Sequence, residues 1–271
     1  MQTGFQPCKR LSHMPANCQL LHRKAARISQ FSQAGRCGCS GTIATLHRDR
    51  PSRLPAARAP WRPMQLIATY RNEALAALGD QAIDFFQRRS DLHSRGVSFG
   101  GGNANPDKVS TDISLVWLDR SDPEAHQLAD AIMLAVSGCL KQYLSQRHQF
   151  LEVVPERSLF VNPIFNLQHY EAGEGFKNWH CDWTTSVDAT EPIKRVLAWI
   201  LYCNDVDNAG TEFLWQQHHV EAVRGQMAIF PAGMSHVHRG RVSQEQAKTI
   251  ATGWINVGKL EAYVERLAKI G

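Results

Sequence analysis

The chain has 271 residues and a net charge of +5, unevenly spread: residues 1–63 hold eleven Lys or Arg against one acid, Asp49, so residues 64–271 carry a net −5. An acidic folded part argues against a nucleic-acid surface built on net charge, and no run of about 18 apolar residues offers a membrane span. Seven cysteines without regular spacing do not make a disulfide framework, which points to a reducing compartment and a cytoplasmic protein.

Residues 1–63 are rich in Arg, Ser, Gln and Ala and show no sustained apolar period. That composition fits a disordered or spurious extension with the true start at Met64, or alternatively a transit segment for organelle import. Cys37-Gly38-Cys39 lacks the second cysteine pair of a zinc site and is assigned no function. From Met64 the pattern changes. Leu75, Leu78, Ala82, Ile83, Phe85 and Phe86 predict a helix over 72–89, with Gly79 as its weak point. Residues 96–107 read as loop, because the glycine run at 100–102 lacks the Lys-Ser/Thr of a phosphate cradle. A strand is expected over 111–118. Ser121 and Glu124 around Pro123 read as a capping box, opening a helix to about Gln146 with Leu128, Ile132, Val136, Leu140 and Tyr143 along one side.

After Pro155 the texture is β. Strands are expected over 162–170, 195–206, 211–215, 226–231 and 248–257, with turns at 207–210 and 224–225. A short amphipathic helix over 260–270, carrying Leu260, Tyr263, Val264 and Leu267, closes the chain. Helices followed by short strands predict a mainly β domain over 64–271, an antiparallel sandwich or jelly roll buttressed by N-terminal helices.

The chemistry concentrates in Tyr170–Trp183, which contains His180-Cys181-Asp182. On a strand, residues i and i+2 share a face, so His180 and Asp182 are placed to grip one metal ion while Cys181 turns away as a packing residue. One more histidine completes the two-His, one-carboxylate facial set of a non-haem Fe(II) oxygenase. Ser235-His236-Val237-His238 offers two, and their shared parity does not separate them.

In this context residues 162–257 resemble the catalytic core of the prolyl-4-hydroxylase-like Fe(II)/2-oxoglutarate dioxygenases, whose fold is a double-stranded β-helix. Tyr170 stands ten positions before His180. Leu201-Tyr202-Cys203-Asn204-Asp205-Val206 and Ala209-Gly210-Thr211-Glu212-Phe213 are similar to the family's Y-L-N-D-V and then G-G-E-T-x-F stretch. Phe230-Pro231 precedes the distal histidine, and Lys248–Trp254 is similar to the strand bearing the basic anchor. The resemblance implies Fe(II) on His180, Asp182 and a distal histidine. The family's spacing selects His238, ten positions before Lys248, over His236, twelve before it. It also implies 2-oxoglutarate as co-substrate with its distal carboxylate on Lys248. A lysine is a compact charge without a bidentate fork, so the hydroxyls of Tyr170 and Thr252 are expected to help. Trp254 reads either as a pocket wall or as a core residue, Asn204 and Asp205 as turn-closing residues, and His218-His219 as solvated. The resemblance further implies O₂ as the oxidant, ascorbate as an optional reductant, and succinate and CO₂ as co-products. The acceptor is a prolyl or other protein side chain, or a small metabolite. A non-catalytic jelly-roll binding module is the alternative reading, a zinc hydrolase a third. A nucleic-acid dealkylase is disfavoured by the acidic core and the lack of a second arginine on the Lys248 strand.

Overall fold

The computed structural model describes residues 65–97, 99–100, 103–104, 107–183 and 194–270. The N-terminal extension with Cys37–Cys39, and Gly101-Gly102, lie outside the described residues. Strand β1 (Ala68–Arg71) leads into helix α1 (Glu73–Arg88), which Asn72 caps by accepting the Leu75 N–H at 2.8 Å. Its Leu75, Leu78, Ala82, Phe85 and Phe86 are buried, as the apolar stripe predicts. Gly79 has a reason: a Cβ there would stand 3.0 Å from the Cys203 backbone, so the helix touches a strand end at the position the sequence marks as weak.

The expected loop at 96–107 carries short pairings, β2 (Ser94–Arg95) before it, then β3 (Phe99–Gly100) with β4 (Asn103–Ala104), and β5 (Lys108–Val109). Strand β6 (Thr111–Val116) follows. Helix α2 (Pro123–Gln146) is capped by Asp122, whose carboxylate accepts from Ala125 N at 3.0 Å, and not by Ser121. Pro123 at the first helical position makes Asp122 the cap, which moves Glu124 one place short of the capping-box position. Glu124 instead meets Arg88 and Arg89. Helix α3 (Gln149–Val153) is a single turn or so.

The strand expected over 162–170 splits into β7 (Leu159–Val161) and β8 (Ile164–Tyr170), because Pro163 has no N–H for the ladder and Asn162 Oδ1 takes the Ile164 N–H at 3.0 Å. Then come β9 (Gly175–Phe176), β10 (Arg195–Tyr202), β11 (Val206–Phe213), β12 (His218–Ala222), β13 (Gln226–Pro231), β14 (His238–Gly240), β15 (Lys248–Val257) and helix α4 (Leu260–Ile270). The turn expected at 207–210 is part of β11. Its pairing with β12 jumps from Val206–Ala222 to Thr211–Val220, and Asn208 takes φ 56°, so these residues form a bulge and not a reversal. The reversal lies at residues 203–205. There Asn204 bonds Ala247 O and Thr249 N, and Asp205 accepts from Arg224 N, as expected of turn-closing side chains.

The strands make an antiparallel eight-stranded sheet ordered β1-β13-β10-β15-β8-β6-β2, with β7 also on β15, and a three-stranded sheet ordered β12-β11-β14. Alternation sorts the side chains of the large sheet. Phe165, Leu167, Leu197, Trp199, Leu201, Ala251 and Ile255 face α1 and α2 in one core. Tyr170, Ala198, Ile200, Tyr202, Ala228, Phe230 and Ile250 face the small sheet's Val206, Ala209, Phe213, Val220 and Ala222 in a second. This is a jelly roll with helices on one outer face. Trp199, fully buried against Phe165, is worth about 3–5 kcal/mol to the helix-side core if truncated to alanine. No helix among the described residues is long and apolar enough to cross a membrane.

Candidate active site

His180 is not on a regular strand. It forms an isolated antiparallel bridge with His238, His180 N to His238 O at 3.0 Å and the return bond at 2.9 Å, while Asp182 N donates to Ala232 O at 2.9 Å. Two anchor points, His238 on the small sheet and Ala232 just past β13 of the large one, thus hold the H-x-D segment extended, and its two side chains face the same way for that reason. One ligand atom each from His180, Asp182 and His238 lies within 4.8 Å of the others. Cys181 is free and half-buried, outside that cluster.

Both histidines are oriented alike. His180 Nδ1 is 2.9 Å from Asn178 O, and His238 Nδ1 is 2.9 Å from His236 O. A carbonyl accepts only, so each Nδ1 carries the hydrogen and each Nε2 lone pair is left for a cation. Burial, with the nearby His238, pushes the His180 imidazolium down to about 4, which keeps that ring neutral at neutral pH. Phe176 stacks on His180 at 3.9 Å, and Phe230 and Phe213 flank His238 at 4.9 and 5.8 Å. Asp182 Oδ2 is 3.7 Å from His238 Nε2 and is buried with no hydrogen-bond partner among the described residues. An unpaired buried carboxylate oxygen beside two imidazole lone pairs is costly by itself and is satisfied by a metal ion. The residues present therefore fit Fe(II).

His236 stays out of the cluster. It ends a 3₁₀ turn (Met234–His236) before β14, so it does not share a strand face with His238. Its Nδ1 meets Ser235 Oγ at 3.0 Å.

Lys248, Ile250, Thr252 and Trp254 share the inner face of β15. Lys248 lies opposite Tyr170 in the ladder, its Nζ 5.2 Å from the Tyr170 ring centre and bonded to Ala209 O at 2.6 Å and Arg241 O at 3.0 Å. Burial pushes its ammonium down to about 8. Thr252 Oγ1 donates to Trp199 O at 3.0 Å, and Tyr170 donates to Gln168 Oε1 at 2.7 Å. Trp254 packs on the inner core beneath the Arg195 guanidinium at 3.5 Å, and Arg195 Nη1 also reaches Asp182 O at 3.1 Å. His218 is exposed on β12, whereas His219 is half-buried and meets Glu221 at 2.9 Å.

Sequence reasoning did not single out Phe176, Asn178 or Arg195, nor Lys108, Asp112 and Gln168, which wall the inner face beside Tyr170. Only the alternation of β6 and β8 hinted at the last two.

Residues 165–256 match the family model of the 2OG-Fe(II) oxygenase superfamily. No curated protein sequence matches the chain. Among solved structures, the viral collagen prolyl hydroxylase of Paramecium Bursaria Chlorella virus-1, in complex with 2OG, is similar at TM-score 0.50 and 14% identity, over 71% of this chain and 97% of that one. A Pseudomonas putida prolyl-4-hydroxylase follows at 0.49 and 16%, over 71% and 92%. A Trichoplax adhaerens prolyl hydroxylase stands at 0.49 and 12%, over 73% and 86%. The matched segment runs from β8 to β15 and so contains the clustered His180, Asp182 and His238. Residues 165–256 thus match the 2OG-Fe(II) oxygenase superfamily, dioxygenases that use Fe(II), 2-oxoglutarate and O₂, in a fold shared with the viral collagen prolyl hydroxylase.

Proposed function

We propose that the protein hydroxylates a C–H bond of a prolyl or other protein side chain, or of a small metabolite, converting 2-oxoglutarate and O₂ to succinate and CO₂. One oxygen atom enters the acceptor and the other the succinate. His180 Nε2, His238 Nε2 and Asp182 are the groups that would hold the iron. Bound iron supplies the activation of O₂ that drives decarboxylation of the keto acid. The chain's own residues hold and orient. Lys248 takes the distal carboxylate on the inner face of β15, with Tyr170 and Thr252 beside it. Asn178 O and His236 O keep both imidazoles in one tautomer, and Phe176, Phe213 and Phe230 exclude water from the rings.

The observation that supports this reading best is the orphaned Asp182 Oδ2 facing two oriented imidazoles. The test is succinate formation by the full chain with Fe(II), ascorbate, O₂ and 2-oxoglutarate, with and without chelator. Chelator-sensitive succinate is expected even without an acceptor. No succinate together with no metal-dependent binding of 2-oxoglutarate would instead make the chain a binding module of the same shape.

A further inference from the structure

A relay of buried polar groups ends on Tyr170. Lys108 Nζ donates to Asp112 Oδ2 at 2.8 Å and Ser110 Oγ to Asp112 Oδ1 at 2.7 Å. Gln168 Nε2 donates to Asp112 Oδ2 at 3.2 Å, and its Oε1 accepts the Tyr170 hydroxyl at 2.7 Å. All five residues are under 9% exposed. The direction of the relay is forced. A carboxylate paired with an ammonium only accepts, so the Gln168 amide must turn its NH₂ to Asp112 and its oxygen to Tyr170. Burial pushes the Tyr170 phenol well above its ordinary range, so it holds one hydrogen, and that hydrogen is given to Gln168.

Across the ladder from Tyr170, an ammonium has three N–H groups, and Lys248 spends two on Ala209 O and Arg241 O. One remains for a carboxylate. A second donor must come from a neighbour, and Tyr170, whose ring centre is 5.2 Å from Lys248 Nζ, already has its hydroxyl hydrogen engaged. We infer that Gln168, held by Asp112, competes with the co-substrate's distal carboxylate for the single Tyr170 hydrogen, so that this relay sets the affinity for 2-oxoglutarate below what Lys248 and Tyr170 alone would give. Gln168 and Asp112 are positioning residues, and neither needs to touch the co-substrate. The inference rests on the function proposed above.

The experiment is calorimetric binding of 2-oxoglutarate to the full chain loaded with Mn(II) in the absence of O₂. Gln168→Met removes the competing acceptor at similar size and is expected to tighten binding by about three- to tenfold, the worth of one hydrogen bond. Asp112→Asn, which lets the Gln168 amide turn over, is expected to act in the same direction by another route. In a Tyr170→Phe background Gln168→Met should change nothing. Damage to the pocket weakens binding, so tightening that depends on Tyr170 is a signature a merely structural role does not produce. Weaker or unchanged binding in Gln168→Met, in a wild-type background that binds the co-substrate, overturns the inference alone. Absence of Mn(II)-dependent binding in the wild type overturns the proposed function and the inference with it.

Discussion

Asp182 Oδ2 and His238 Nε2 face each other at 3.7 Å, an acceptor without a donor beside an imidazole whose hydrogen is held on the other nitrogen. A cation satisfies both. Added Fe(II) or Mn(II) is therefore expected to raise the melting temperature, by about 2.7 kcal/mol of stability at a hundredfold excess over its Kd. Asp182→Ala should lose that gain and all turnover. Its metal-free form should melt no lower than the metal-free wild type, because a buried unpaired acceptor is removed. Scanning calorimetry with and without chelator checks both, and a variant that keeps the metal-dependent shift takes Asp182 out of the proposed ligand set.

His238 and His236 should behave differently although both are about 5% exposed. His238→Ala is expected to abolish metal-dependent stabilisation and succinate formation. His236→Ala removes a ring outside the cluster and a bond to Ser235, costing about 1–3 kcal/mol of stability while metal binding persists. Metal titration of the two purified variants decides, and the reverse pattern would exchange their roles.

Lys248 confers a pH dependence with two signs. Its folded pKa of about 8 lies below the ordinary 10.5. Between those values the unfolded chain binds more protons, so this group's contribution to stability rises with pH through that window, and its cost is constant below it. Co-substrate binding runs the opposite way, because the carboxylate needs the ammonium. Affinity for 2-oxoglutarate should be level below pH 8 and about tenfold weaker one unit above it, as the protonated fraction falls. Lys248→Met should bind weakly and without that slope. Calorimetry at pH 7 and pH 9 on both proteins reads the difference.

Gly240, two residues after His238, points at the lysine: a Cβ there would lie 3.8 Å from Lys248 Nζ and 3.5 Å from Phe176 O. Those are ordinary contacts, so the fold accepts alanine. Gly240→Val adds methyl groups beside the one open N–H of Lys248. It is expected to weaken 2-oxoglutarate binding by on the order of tenfold while metal binding is kept, a loss comparable to one charge-assisted hydrogen bond. Equal affinity in Gly240→Val and wild type would place the co-substrate elsewhere.

The caps of α2 give a prediction about folding alone. Asp122→Ala removes the bond to Ala125 N and the 2.7 Å pairing with Arg89, and should cost about 1–2 kcal/mol in urea unfolding. Ser121→Ala should cost almost nothing.

Ser121 against Asp122 shows the grain of what was legible. Composition and period located α1, α2, β13, β15 and α4 closely, since an apolar stripe and a strand alternation are local properties. They located β11 poorly, because Asp207–Gly210 looks like a turn by composition. Whether such residues reverse the chain or bulge inside a strand depends on what pairs across from them, here Ala222 and Val220.

The sequence by itself determined the chemistry on offer: His180 and Asp182 two positions apart, two later histidines, a lysine on a strand with Tyr170 upstream, and enough alternating strands for a jelly roll. Tertiary structure alone decided the rest. It brought His238 and not His236 to Asp182, set both imidazole tautomers with backbone carbonyls, and buried Lys248 between Ala209 O and Arg241 O. It also tied Tyr170 to Lys108 through Gln168 and Asp112. The physical reason is that periodicity tells which face of its own element a side chain occupies, whereas hydrogen bonds and burial depend on the element packed against that face. Some of those partners, such as Ala209 for Lys248 and Asp112 for Gln168, lie tens of residues away, and even the nearby carbonyls of Asn178 and His236 carry no mark of their pairing.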